Sequence, residues 1–226
     1  MTEAERWLAA MWPVVREALP EPPATVLDLG CGSRGGFVPM LLDAGYDAIG
    51  VDPNAPDEAP YRRAEFEHAD LPPAVDAVVA STSLHHGADP AEVIDRMADV
   101  LRPGGVVVVV EWASERFDER TARWCFERLS SEETWLQRLR DEWRQSGLGW
   151  EDYFRGWLER EHLHAGETLI RVLDERLERQ QLDYRPYFFA GLAGVTEEDE
   201  HTAIADGEIQ AGRIDYVGTR PRTAQA

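Results

Sequence analysis

The stretch Val26-Leu27-Asp28-Leu29-Gly30-Cys31-Gly32-Ser33-Arg34-Gly35-Gly36 decides how the rest of the chain is read. Thr25 to Leu29 is a short apolar run, long enough for one strand, and Phe37 to Ala44 has the pattern of a helix. Between them Gly30, Gly32 and Gly35 stand at the spacing G-x-G-x-x-G. Glycine allows positive φ and lets a ligand come close to the backbone. Taken alone, the turn would equally serve a tight strand-to-helix connection with no ligand. Two acids sharpen it. Asp28 stands at the carboxyl end of the first strand, where a carboxylate can meet a cationic ligand group. Asp52 follows a second strand, Asp47 to Val51, where an acid can hydrogen-bond both hydroxyls of a ribose. The bland alternative for Asp52, which precedes Pro53, is the cap of a turn.

Outward from this turn the chain alternates. Glu3 to Leu19 reads as an amphipathic helix with Trp7, Leu8, Met11, Val14 and Val15 on one face, ended by Pro20, Pro22 and Pro23. The segment DPNAPDEAP from Asp52 is loop by composition. A third strand is expected at Ala64 to His68 and a fourth at Ala77 to Ala80. Asp89 and Pro90 then open a helix bearing Val93, Ile94, Met97, Val100 and Leu101 at helical spacing. Pro103-Gly104-Gly105 breaks the chain, and the five valines Val106 to Val110 read as a strand buried on both faces. Alternating strands and helices imply parallel pairing with right-handed crossovers.

The second half differs. No strand is expected from Ala113 to Gln181, where helices run through Phe117–Leu129, Trp135–Trp143, Trp150–Leu163 and Leu169–Leu177. Ser130 and Glu133 have capping-box spacing. Five of the eight Trp fall in this segment. Late strands are expected at Asp183–Phe189 and Ile214–Val217, around an acidic helix from Thr196 to Asp206. The expected organisation is a single domain over residues 1–226 with a helical insertion or lid at 113–181.

The 226 residues carry 43 acidic and 23 basic side chains, for a net charge of −20. All the basic residues are Arg, so a Walker lysine, a Schiff-base lysine and a Tyr-x-x-x-Lys pair are excluded. An acidic surface repels phosphate at long range, so neither nucleic acid nor an anionic membrane is expected as a partner. Two cysteines, Cys31 and Cys125, indicate no disulfide framework and fit a reduced cytosol. MTEAERWLAAMWPVV is not a signal peptide, and no stretch approaches the roughly 18 apolar residues of a membrane span. The expected location is cytoplasmic; the lack of Lys beside abundant Arg and Ala suggests a bacterial, GC-rich source.

Four segments in order, VLDLGCG, AIGVDP at Ala48 to Pro53, STSLHHGADP at Ser81 to Pro90 and LRPGGVVVVVEW at Leu101 to Trp112, resemble the class I S-adenosylmethionine-dependent methyltransferases. The resemblance covers Val26 to Trp112 and, beyond it, only the layout. It implies an α/β, Rossmann-like three-layer sandwich whose seven-stranded sheet is mostly parallel with an antiparallel C-terminal strand. It also implies S-adenosylmethionine as cofactor and S-adenosylhomocysteine as product. Gly30, Cys31 and Gly32 would face the methionine part, with Asp28 holding its amino group. Asp52 would take the ribose hydroxyls and Pro53 would lie against the adenine. Asp70 would accept from the adenine amine, Leu71 would pack on the ring, and Ser81 would touch the methionine amine. The third glycine stands one residue later than in the family, and the segment after Asp52 is too short and too Pro-rich for a full helix.

Methyl transfer is an in-line displacement in which the protein aligns partners and excludes water. A base is needed only where the accepting atom carries a proton that must leave. His85 and His86 follow the fourth strand and Glu111 the fifth, so these three are the catalytic candidates; packing or capping by the histidines and a structural acid at Glu111 are the alternatives. Trp112, Trp124, Trp150, Phe154 and Trp157 are candidates for substrate contact, against plain helix packing. His162 and His164 lie two apart with no Cys near, so no metal site is expected. The expected function is methyl transfer to the oxygen or nitrogen of a small organic acceptor, in specialised metabolism. An NAD(P)-dependent oxidoreductase and a non-catalytic S-adenosylmethionine-binding scaffold stay open, as does a homodimer.

Overall fold

The structure, a computed structural model, describes residues 1–86, 89–130 and 134–222. Seven strands form one sheet in the order β3-β2-β1-β4-β5-β7-β6. They are β1 (Thr25–Leu29), β2 (Asp47–Val51), β3 (Tyr61–Arg62), β4 (Val75–Ser81), β5 (Leu101–Trp112), β6 (Glu178–Arg185) and β7 (Arg213–Thr219). β7 runs antiparallel to both β5 and β6; every other pairing is parallel. This is the Rossmann-like sheet with an antiparallel C-terminal strand that the motif order implied.

The valine run shows why the sheet carries helices on both faces. Val107 and Val109 point into one core, with α3 (Pro90–Val100) and α7 (Gly166–Arg176). Val108 and Val110 point into the other, with α1 (Glu3–Ala18) and α2 (Val38–Asp43). Strand side chains alternate, so a homopolymer of β-branched residues serves two apolar layers equally well. A third apolar cluster lies off the sheet, built from α4 (Glu119–Phe126), α5 (Trp135–Ser146) and α6 (Trp150–Arg160) around Trp112 and Phe188. α8 (Glu197–Ala205) packs beside the turn at Phe189–Gly191.

Several expectations are corrected. The third strand is not Ala64 to His68: Phe66–His68 is a 3-10 turn, and the pairing with β2 falls on Tyr61–Arg62 instead. β5 is not confined to the valines. It starts at Leu101, with Arg102 to Gly105 bulging opposite Asp76, because Gly104 takes φ +79° and pairs its N–H with the Arg220 carbonyl. The stretch Ala113 to Gln181 is not free of strand, since β6 begins at Glu178 directly after α7. α7 itself packs in the sheet layer through Leu169, Val172 and Leu173, so the helices that stand off the sheet are α4 to α6. Glu133 lies outside the described residues; α5 is capped by Thr134, whose N–H is accepted by Gln137 at 2.9 Å.

Candidate active site

β1 and β2 end side by side, and Gly30 and Cys31 both donate their N–H to the Val51 carbonyl. That bond pulls the glycine turn across the end of the sheet. Gly30 takes φ +76°, and a Cβ there would lie 2.2 Å from the Cβ of Ser83, so only glycine fits between the two turns. Gly32 also has positive φ, yet nothing lies within 4 Å of where its Cβ would be. The turn is thus tight on its inner side and open on its outer side.

The open side faces a cleft of about 900 Å³. Asp28, Gly30, Gly32 and Arg34 line one end, Ser81 and Thr82 the floor, and Trp7, Trp135 and Tyr187 the other end. The volume falls within the roughly 300–1,000 Å³ usual for cofactor and ligand sites. Asp28 is buried and accepts the Phe37 N–H at 2.6 Å on Oδ2. Burial pushes its carboxyl up to about 7, against the amides of Phe37 and Val38, with Asp52 adding to the rise. Burial, helped by Asp28 and Asp52, also pushes the Cys31 thiol up to about 12, so it stays protonated and unreactive.

Asp52 stands within electrostatic reach of Asp28 and accepts the Asn54 N–H at 2.7 Å, the turn-capping role named as its alternative. Pro53 and Asp70 are exposed, Leu71 is partly buried against the sheet core, and none of these four lines the cleft. Ser81 does line it, but its hydroxyl accepts the Trp7 indole N–H at 3.0 Å. α1 is held over the cleft by this bond, by Arg6 on the Ala190 carbonyl and by Arg34 on the Thr2 hydroxyl.

The catalytic candidates sit behind the aromatic wall, outside the cleft lining. Glu111 is fully buried and lies 2.6 Å from Nδ1 of His85 through Oε2. Burial would raise its carboxyl, but the His85 charge and hydrogen bond with the amides of Leu84 and Ser83 outweigh it and hold it below the usual value. The His85 ring lies edge-on to Trp112 at 6.4 Å, and the exposed His86 ring meets it tilted by 41° at 4.1 Å.

Of the aromatic candidates, Trp112 stacks on the cleft-lining Tyr187 at 5.9 Å and meets Trp135 edge-on at 5.2 Å. Phe154 and Trp157 touch Trp112 from behind, at 6.0 and 6.4 Å. Trp150 is core, its indole N–H bonded to the Phe117 carbonyl, and Trp124 lies under Arg128. Five rings do line the cleft, Trp7, Phe37, Trp135, Tyr187 and Phe188, and in sequence Trp7, Trp135 and Tyr187 stand only in helix or strand segments. Only their spatial convergence on Trp112 and Ser81 marks them. Among the described residues no three His, Cys, Asp or Glu gather to hold a metal, and no helix is long and apolar enough to cross a membrane.

The family described as "Methyltransferase domain" matches residues 3–174. The chain is 28% identical to a tRNA U34 carboxymethyltransferase of Hahella chejuensis, over 87% of this chain and 61% of that protein. It therefore spans less than two thirds of that relative's length. It is 46% identical to a 2-ketoarginine methyltransferase of Streptomyces arginensis, over 24% of this chain and 17% of that protein. In fold it matches the PH0226 protein of Pyrococcus horikoshii, with TM-score 0.61 and 12% identity over 97% of this chain and 92% of that one. The tRNA-directed relative overturns the expectation that nucleic acid is no partner. A net charge sums the whole surface and does not decide what a local site accepts. The glycine turn and the match over residues 3–174 agree, and the chain belongs to the methyltransferase-domain family.

Proposed function

We propose that the cleft seats S-adenosylmethionine with its methionine end over Gly30 to Gly32, and passes the methyl group to an oxygen or nitrogen on a planar acceptor lying against Trp7, Trp135 and Tyr187. The observation that carries this reading is one cleft that joins an open glycine turn to the rings of Trp7, Trp135 and Tyr187. The bound cofactor supplies an electrophilic methyl on a sulfonium. The protein's part is to hold and align. Asp28 would take the ammonium of the methionine part, which the proton equilibrium near neutrality allows. Asp52 accepts the Asn54 amide on Oδ1, and its second oxygen would serve the ribose hydroxyls. Pro53, Asp70 and Leu71 would flank the adenine beyond the cleft rim. Ser81 would contribute backbone contacts, since its hydroxyl anchors Trp7. α1, held in place over the site, would exclude water and fix the approach angle, which is most of what an in-line displacement asks of a protein.

Planar acceptors of this kind occur as free small organic compounds and as nucleobases. The short 2-ketoarginine methyltransferase match favours the first, and the longer tRNA-directed match favours the second. Methyl-labelled S-adenosylmethionine offered to a panel of small phenols, amines and heteroaromatics, and separately to total tRNA, distinguishes them. Label in one fraction identifies the acceptor; label in neither, with cofactor bound, overturns the proposed transfer. Trp135→Leu is expected to raise KM for the acceptor while leaving S-adenosylhomocysteine affinity unchanged.

A further inference from the structure

Glu111 is the most completely engaged buried carboxylate near the cleft. Oε1 accepts the N–H of Ser83 and of Leu84, each at 2.6 Å; Oε2 accepts from His85 Nδ1 at 2.6 Å and from the Trp112 N–H at 3.1 Å. An ionised carboxylate has about four acceptor positions, and four donors fill them. No position is left for a substrate proton. The donors instead come from the turn after β4, and that turn is under constraint. Thr82 takes φ +50°, a left-handed conformation unfavourable for a β-branched residue. The next residue, Ser83, donates its hydroxyl to the Leu29 carbonyl at 3.1 Å and fills the space against Gly30. Ser81, Thr82 and Gly30 all line the cleft.

We propose that Glu111 is a positioning residue: its carboxylate braces the turn after β4 against the glycine turn, and through that contact sets the affinity for S-adenosylmethionine. His85 is the fourth strut of this brace, its Nδ1 proton directed at Glu111 because the carboxylate can only accept. The proposal rests on cofactor binding at the glycine turn. It replaces the alternative of Glu111 as a proton acceptor.

Glu111→Gln puts an amide NH2 where Oε2 accepts two donors, so the brace loosens while volume is kept. The expected result is an S-adenosylhomocysteine Kd raised about tenfold by calorimetry, the equivalent of roughly 1.4 kcal/mol. KM for S-adenosylmethionine should rise in parallel, with kcat at saturation and the shape of its pH profile kept. Adding Thr82→Gly, which removes the need to hold a left-handed threonine, should recover part of the lost affinity. If Glu111→Gln does not fold, Ser83→Ala tests the same link by removing the bond to Leu29, with a Kd rise of about threefold expected. An unchanged Kd beside a lost kcat and a lost acidic limb overturns the brace in favour of proton transfer. An unchanged Kd with only a lower Tm overturns it as a purely structural acid. A wild-type protein that binds no S-adenosylhomocysteine sinks the functional reading as well, whereas failure of the variants alone sinks only the brace.

Discussion

The two ends of the cleft are built by different means. At the glycine turn the determinants are backbone: positive φ, an N–H pair on one carbonyl, and a Cβ-sized gap closed by Ser83. At the aromatic end they are side chains, with Trp112 touching five other rings of the cluster. Where the backbone leaves no room for a Cβ, as at Gly30, no substitution fits, because the offending atom belongs to every other residue. A packing constraint spreads its cost over many neighbours, so single changes there shift stability more than they shift chemistry.

The sharpest way to break this contrast is Gly30→Ala. Its Cβ would meet Ser83 at 2.2 Å, and cofactor affinity measured by calorimetry is expected to fall by about a hundredfold or more. Retained affinity would mean that the two turns are not locked together. Next comes Trp150→Ala in the aromatic cluster, expected to cost about 3–5 kcal/mol of stability by denaturant titration while leaving cofactor affinity in the folded protein intact. Loss of cofactor binding there would show the two ends to be one cooperative unit. A third test uses pH. Asp28 titrates near 7 folded and near its ordinary 3.8 unfolded, so the folded state holds a proton that the unfolded state loses. Its contribution is fully present at acid pH and is lost as pH rises from about 4 to about 7, then stays flat. Asp28→Asn should remove that slope from a stability–pH curve. The smallest effect is expected at Gly32→Ala, where open space leaves only the backbone cost of positive φ, about 1 kcal/mol. A loss as large as at Gly30 would place bound cofactor against that Cβ position.

The same contrast explains what could be read from the sequence. Gly30, Gly32, the acids at the ends of β1 and β2, and the valines of β5 are fixed by local rules, and each fell where the motifs put it. β3 was misplaced because a two-residue strand has no alternation to detect. The start of β6 was missed because Glu178 to Gln181 are exposed on an edge and are strand only by pairing with β7. Proline and two glycines disguised the bulge in β5, which Gly104 makes possible and contacts with Asp76 and Arg220 hold. At the site, Trp7 and Tyr187 are far apart in sequence and carry no spacing between them, yet their rings meet at 5.2 Å. Their role becomes visible only once α1 is laid across the sheet.

Five identical residues in β5 cannot by themselves tell the neighbouring strands where to stop. Sliding the strand by one valine would leave valines on both faces of the run, yet it would turn the Glu111 carboxylate and the Trp112 indole to the opposite faces. Alignment must therefore come from the flanks, from the bulge beside Asp76 and from the distinct partners of β7. Inserting or deleting one valine would take the Glu111 carboxylate away from Ser83, Leu84 and His85, so the flanks make every other register costly.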